Sequence, residues 1–569
     1  MHIAGNRKGF VWDLRGSGEE AHAYTNPKDG YVWGTAWHQV NGRLRLGINR
    51  PWGYSRLTIS ALHKRIQVPT GSRDSTGHFI FKHPVNGRIY PTNDDFLSYS
   101  ANIASDKLLD EYQAWWQNSI NLGNGKLGLG IGFTRSAHFD VDSGTVGTGN
   151  FAVNDIPFSL NYQVEEANTG IQLTSGINGT YEMERNFAEA RAPYISNFQI
   201  PNYKNFEIGG YAIIEKDFKD LTLNGGIRFD RTKFIGDPLY LADPGMPQQR
   251  IVSSTSPGAM QQFAGFDNIY SGFSGSIGAS YQLPGNNYAK LNISRRYRAP
   301  AINELTNNGL NIGSNAVQLV NIDLQAEHGY QFDLAYGYNG NNLSFEANGF
   351  YNHIDNFIFT NKTDSVSQGY PVYQFTSANV AVITGISGYL NIHPVAAKCL
   401  EIDNGFTYVY SHIPNTTDST RHLTYIPAPH LTSDLKFRFN NGHNSTLSET
   451  FVKIGVQHSW AQNNIYRALH TEVPSSPYTL FSAGVGITFT NPKTGRALCS
   501  LYVNCTNLTN AAYADHLNIA QYFLSYNGQP VTVTRQNQGI YNMGRNISFK
   551  NDCSIWHYRK AGKLRKIRK

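Results

Sequence analysis

Apolar and polar positions alternate along most of the chain. From Leu221 one set reads Leu221, Leu223, Gly225, Ile227 and Phe229, and the other Thr222, Asn224, Gly226, Arg228 and Asp230. The same period returns in Phe273, Gly275, Ile277, Ala279 and Tyr281, and in Tyr330, Phe332, Leu334, Tyr336 and Tyr338. A period of two is that of a strand with one apolar face. Short turns rich in Gly, Asn and Pro are expected at 50–55, 123–126, 165–170, 216–220, 284–287, 340–342, 393–397, 440–444 and 491–495. Long polar stretches separate them, at about 67–109, 140–154, 186–205, 234–270, 299–327, 360–372, 412–429, 459–477 and 508–543. Nine hairpins, with one strand near 9–24 and another near 544–549, predict about twenty strands. A compact soluble domain seldom carries so many long connections. Short turns alternating with long loops instead predict an all-β fold, a large antiparallel transmembrane β-barrel with long extracellular loops. Leu221, Leu223, Ile227 and Phe229 would face lipid and Arg228 the interior. A one-residue slip would place Arg228 in hydrocarbon, at roughly 2–4 kcal/mol near the midplane.

Aromatic placement fits that picture. Tyr281, Tyr336, Tyr338, Phe437, Phe439 and Phe489 precede short turns, and Tyr408 and Tyr410 sit at a loop end, as two interfacial girdles require. Charged residues are only 16% of the chain, while aromatics reach 13%, with 34 Tyr and 31 Phe. No apolar run approaches the ~18 residues of a spanning helix, so a helical membrane protein is excluded. The formal charge of +7 resides in the tail, where 550–569 carries eight basic residues against Asp552. A general affinity for nucleic acid is therefore not expected. The division expected is a barrel over 1–549 and a basic, disordered or out-of-frame tail over 550–569.

Four cysteines make no disulfide framework. Cys499 and Cys505 lie six residues apart on one strand, about 20 Å, well beyond the ~7 Å that a disulfide spans. They are expected not to pair, and Cys553 falls in the tail.

Catalytic constellations are wanting. Gly128, Gly130 and Gly132 imitate a nucleotide fingerprint but alternate within a strand and open no helix. Asp94-Asp95, Asp110-Glu111 and Glu165-Glu166 read as solvated acids. The 18 His show no metal-ligand spacing, and His353 with Asp355 reads as strand-end packing. The sharpest polar group is Arg298, Pro300 and Glu304, in which Arg298 at a strand's loop end pairs with Glu304 and fixes the corner.

Several segments resemble TonB-dependent outer-membrane receptors of the siderophore type. Leu291–Arg298 followed by Pro300 and Glu304-Leu305, with Asn321 to Glu327 downstream, is similar to that family's strand and Arg-x-Pro corner. The run from Leu501 to Asn507-Leu508 and on to Tyr513 is similar to its penultimate strand and Asn-Leu corner. Gly544-Arg545 through Phe549 is similar to the start of its last strand, and 221–230 and 350–358 fit as well. The resemblance implies a 22-strand barrel in the outer membrane of a Gram-negative bacterium. It implies uptake of a scarce nutrient, most often a ferric siderophore, with cobalamin, haem or glycans as other cargo. Outer-membrane lipid, the TonB energy-coupling complex and a small-molecule chelate are the partners implied, with no cofactor and no enzymatic reaction. Arg298, Pro300, Glu304, Glu327, Asn507, Leu508, Gly544 and Arg545 carry the motifs, and their expected role is structural.

Two departures stand out. Residues 1–8 show no apolar signal core and strand-like sequence starts at once, where the family has a signal peptide, a coupling segment and a plug. Phe549 is followed by further residues where the family ends on a terminal aromatic. The expectation is a fragment lacking signal, plug and two strands, unable to transport alone. Its sheet would close by pairing 10–14 with 546–549. A passive porin and an outer-membrane barrel enzyme are the alternatives. A porin would lack the corner motifs, and an enzyme would need a catalytic set at the rim.

Overall fold

The computed structural model describes residues 1–82, 89–91, 106–142, 145–146, 150–166, 168–186, 199–242, 250–311, 314, 316–367, 369–439, 446–491, 497–527 and 529–553. One 24-stranded sheet dominates, and three of its strands are short loop pieces. The other twenty-one form the wall. They are β1 His2–Arg7, β2 Phe10–Ala21, β3 Trp37–Arg50, β4 Gly53–Gln67, β5 Asp106–Leu122, β6 Gly125–Asp142 and β7 Phe151–Glu166. Next come β8 Ile171–Asn186, β9 Tyr203–Asp217, β10 Leu221–Gly236, β11 Phe266–Leu283, β12 Asn287–Arg298, β13 Glu327–Asn339 and β14 Leu343–Ser367. The last are β15 Tyr370–Ile392, β16 Leu400–His412, β17 His430–Phe439, β18 Leu447–Ser459, β19 Tyr478–Thr490, β20 Ala497–Thr506 and β21 Asn546–Cys553. Each pairs antiparallel with its predecessor, which makes the wall an unbroken meander.

The alternation puts the faces where the pattern requires. Leu223, Ile227 and Phe229 are exposed on the outer face, Ile227 at 70%, while Leu221 is half-buried. Arg228 lies on the opposite face, where its Nε donates to Asp230 Oδ1 at 2.7 Å and its Nη1 to Asn178 Oδ1 at 2.7 Å. Tyr281, Tyr336, Phe437, Phe439 and Phe489 are exposed near the short-turn ends. Tyr410 at the loop end is half-buried instead and packs edge-on against His422, with ring centres 5.5 Å apart.

Four expectations need correction. The chain begins with a hairpin rather than a lone strand, because Lys8 (φ 51°) and Gly9 (φ 84°) form a two-residue turn between β1 and β2. Both central residues of such a turn have positive φ, and a lysine there hides the signal. The closure expected between 10–14 and 546–549 is absent, since β2 pairs with β1 and β3. The stretch 360–372 is largely strand, because β14 and β15 continue their ladder beyond the other wall strands to a turn at Gly369 (φ 83°). Last, β21 runs on through Cys553, four residues into the expected tail, and pairs with β20 throughout. Cys499 and Cys553 face each other in that ladder with Cα atoms 4.1 Å apart and form a disulfide, and Cys505 stays free. The rest of the tail, 554–569, lies outside the described residues, as do the turns 440–444 and 492–495 and the acid pair Asp94-Asp95.

The wall spends most of its apolar side chains on the outside, so the enclosed cores sit among the loops and the strand ends beside them. Ala23, Val32, Trp33, Phe79, Phe523 and Ile540 form one such core. Phe234, Leu305, Leu324 and Ile358 form another, and Ala378, Ala381, Ile413 and Leu423 a third.

Replacing Ile227 with Arg should cost about 2–3 kcal/mol, the cost of a guanidinium facing lipid near mid-bilayer. Asn224→Lys, on the inner face of the same strand, should change stability by less than about 0.5 kcal/mol. Urea unfolding of the protein in phospholipid bilayers reads both, and equal costs would show the faces to be misassigned.

Candidate ligand site at the loop end of the wall

Two corners built from the motif residues shape the loop end. At the first, Arg298 closes β12 and forks onto Glu327 at the start of β13, Nε to Oε2 and Nη2 to Oε1, both at 2.7 Å. Its Nη1 also reaches Glu304, at 2.9 and 3.1 Å. Pro300 ends the strand, and the single turn α1 (Ile302–Thr306) follows. Glu304 supplies the glutamate half of a capping box there, accepting the Ala301 N–H at 2.7 Å. Glu327 is 4% exposed and also accepts the Ile358 N–H at 2.7 Å, which ties β14 to the corner. One guanidinium thereby joins three wall strands and the mouth of the loop between β12 and β13. The pairing of Arg298 with Glu304 was legible in the sequence, whereas Glu327 as the stronger partner was not read as such.

The second corner joins the two ends of the chain. Asn507, buried with φ 47°, donates through Nδ2 to the Ala511 carbonyl at 2.9 Å and accepts the Ala511 N–H at 2.8 Å. The Leu508 N–H bonds the Phe481 carbonyl at 2.7 Å, while the Leu508 side chain is exposed. Gly544 donates to the Thr25 carbonyl at 2.8 Å, and a Cβ there would stand 3.0 Å from both that oxygen and Asn26 Cα. The Arg545 N–H reaches Asn510 Oδ1 at 2.9 Å, and its side chain is exposed. The motif residues therefore gather into two separate corners.

Above the corners the loops knit together through contacts that no local signal announces. Glu472, 3% exposed, accepts the Tyr425 N–H at 2.7 Å and the Tyr466 N–H at 2.9 Å. Nε2 of His516, itself 1% exposed, lies 3.4 Å from Glu472 Oε1. Loops following β16, β18 and β20 thus meet on one carboxylate. A second clasp pairs buried Arg73 with Asp29 at 3.0 Å, and Arg73 also donates to the Gly539 carbonyl at 2.8 Å. Within the wall, the inner face carries a hollow of about 250 Å³ lined by Glu346, Asn348, Ser387, Tyr389, Thr407 and His430. No group of three or more His, Cys, Asp or Glu among the described residues is arranged to hold a metal. His353 Nε2 lies 3.1 Å from Asp355 Oδ1, a pair within one strand.

A meander of this size, apolar outside, polar inside and roofed by long loops, defines an outer-membrane barrel of the receptor class. The family profile described as "TonB dependent receptor-like, beta-barrel" matches residues 5–508, and the chain belongs to that family. Solved structures agree in fold. The "Copper transporter OprC" superposes with a TM-score of 0.71 at 15% identity, covering 97% of this chain and 77% of that one. The ferric-catecholate import receptor Fiu from E. coli K12 gives 0.65 at 13%, covering 97% and 78%. The ferric yersiniabactin uptake receptor FyuA from Yersinia pestis gives 0.63 at 11%, covering 98% and 77%. No curated sequence matches the chain. The family consists of receptors and transporters rather than enzymes, and its place is the outer membrane of Gram-negative bacteria.

Glu327→Ala should destabilise the protein by about 3 kcal/mol, because it strands Arg298 and the buried Ile358 N–H together. Arg298→Ala should cost a similar amount and the double variant little more, since both single changes break one unit. Urea titration of the refolded protein reads all three, and additive losses would show the residues to act separately.

The loop clasp carries a pH signature. Burial, then neighbouring tyrosines and the Glu472 charge, push the Tyr425 phenol above its usual range, and burial with Glu472 does the same for Tyr522. Raised phenols count against the folded loops only where the unfolded state would ionise. Their stability is therefore complete below the ordinary tyrosine value of about 10 and falls as pH rises beyond it. Hydrogen exchange at pH 7 and pH 11, corrected for intrinsic rate, should show 413–429 and 460–477 deprotected at the higher pH while β10 and β11 stay protected.

Proposed function

We propose that this chain is the wall and loop roof of an importer that takes a ferric siderophore across the outer membrane with energy from the TonB complex. Outer-membrane nutrient uptake follows from the family. The finer assignment is supported chiefly by the loops, which enclose hydrophobic cores and buried polar clasps above a polar-lined lumen, as capture of a bulky chelate requires. The names of several fold neighbours point the same way, with ferric catecholate, ferric yersiniabactin and ferric enterobactin among them beside copper and heme. The described residues are taken up by wall and loops, so the part that would receive the pull of TonB lies outside them in this reading.

Cells lacking their own siderophore receptors, expressing the chain, provide the test. Radiolabelled ferric catecholates should bind at the surface. Accumulation that vanishes on deleting TonB would support the coupled step as well as the cargo. Absence of binding to any ferric chelate would overturn the cargo, and free passage of sugars into liposomes containing the protein would favour a passive pore.

A further inference from the structure

Towards its loop end, the inner face of the wall concentrates acids with few cations to answer them. The register sets Asp155 of β7 directly opposite Glu182 of β8, and Glu182 directly opposite Asn205 of β9. One step nearer the loops Glu184 faces Tyr203, and one step farther Thr180 faces Glu207. All belong to the lumenal set, because Ile156, Tyr181 and Phe206, of the other parity, are exposed on the outer face. Like charges directly opposite on a sheet repel, and burial raises the cost. Here Glu184 is 2% exposed, Tyr203 4% and Asn205 8%.

The local donors do not meet the demand. Tyr203 Oη donates to Glu182 Oε1 at 2.6 Å, and Thr180 Oγ1 donates to Asp155. Arg228, on the same face, is engaged by Asp230 and Asn178. Two buried oxygens still lack a hydrogen-bond donor, Oε1 of Glu184 and Oδ1 of Asn205. The asparagine is no part of the acid group, yet its carbonyl oxygen is left in the same condition, directly across from Glu182. A positive ligand would complete unsatisfied acceptors beside crowded carboxylates.

We propose that Glu182, Glu184, Tyr203 and Asn205 hold a hard metal cation of the Ca²⁺ class. The donor set is oxygen throughout, the preference of Ca²⁺ and Mg²⁺, whereas thiolate and imidazole select softer metals. Two carboxylates supply the charge, and phenol, amide and water oxygens fill the remaining positions, which suits the flexible coordination of Ca²⁺ better than the strict octahedron of Mg²⁺. The ion would tie β8 to β9 where both leave the wall for the loops. It is a resident of the wall and does not depend on which cargo the receptor carries.

The purified protein in detergent micelles, stripped with a chelator, is the material for the test. Thermal unfolding is followed while CaCl₂ is added. Wild type should gain melting temperature with Ca²⁺, and the double variant Glu182→Gln/Glu184→Gln should need at least ten times more Ca²⁺ for the same gain. Without metal, the double variant should melt no lower than metal-free wild type, since it removes two crowded charges. If that variant fails to fold, Asn205→Leu takes its place, with a weaker Ca²⁺ response expected. No Ca²⁺ response in wild type overturns the proposal, as does an equal response in the variants. Stabilisation by spermidine but not by Ca²⁺ also overturns it, and would give the face to organic ammonium groups.

Discussion

A backbone amide in hydrocarbon has no water to turn to, so its partner must lie in the protein. Everything in this wall follows from that constraint. It forces each segment between β1 and β21 into a ladder with two neighbours, and pairing of chain neighbours gives the meander its order. Once the ladder is fixed, the pleat decides the rest, because one residue in two must face lipid and the next must not. Arg228 is tolerable only because Ile227 and Phe229 take the outer positions on either side of it.

The loops live under the opposite rule. They stand in water, must make cores of their own, and do so by pooling side chains from distant parts of the sequence. Trp33, Phe79 and Phe523 meet in one core, and Tyr425, Tyr466 and His516 around one carboxylate. The loop between β10 and β11 has a small core of its own in Leu239, Leu241 and Phe263, whereas the other cores and clasps are shared between loops. The Arg298 and Asn507 corners set the angles at which the loops leave the wall.

Strand faces and turns were readable because they are local. Leu221 to Asp230 announces its two faces within ten residues, and Gly123 or Pro284 marks a turn by its own chemistry. The turn at Lys8-Gly9 escaped because a lysine occupies a left-handed position usually given to Asn or Gly. The continuation of β14 escaped because its support comes from elsewhere, from Tyr466 packing edge-on against Phe359 with ring centres 5.8 Å apart and bonding Asn361 at 3.0 Å. The corner was half legible, since Glu304 lies six residues from Arg298 while Glu327 lies twenty-nine away. Of the roof nothing was legible. Its pairs are joined by tens to hundreds of residues of chain, and a single sequence carries no record of such meetings.

The bond between Cys499 and Cys553 has a bearing on what survives damage. The two thiols are 54 residues apart in the chain, and the long loop between β20 and β21 lies within that interval. Exposed loop tips are where proteases cut. A cut anywhere in that loop would free the final strand from the main chain, yet the sulfur link at its far end would keep the pieces together as one molecule. Under oxidising conditions the nicked protein would migrate as a single species, and only a reductant would release the C-terminal peptide. The wall could thus lose the continuity of its last loop without losing its last strand.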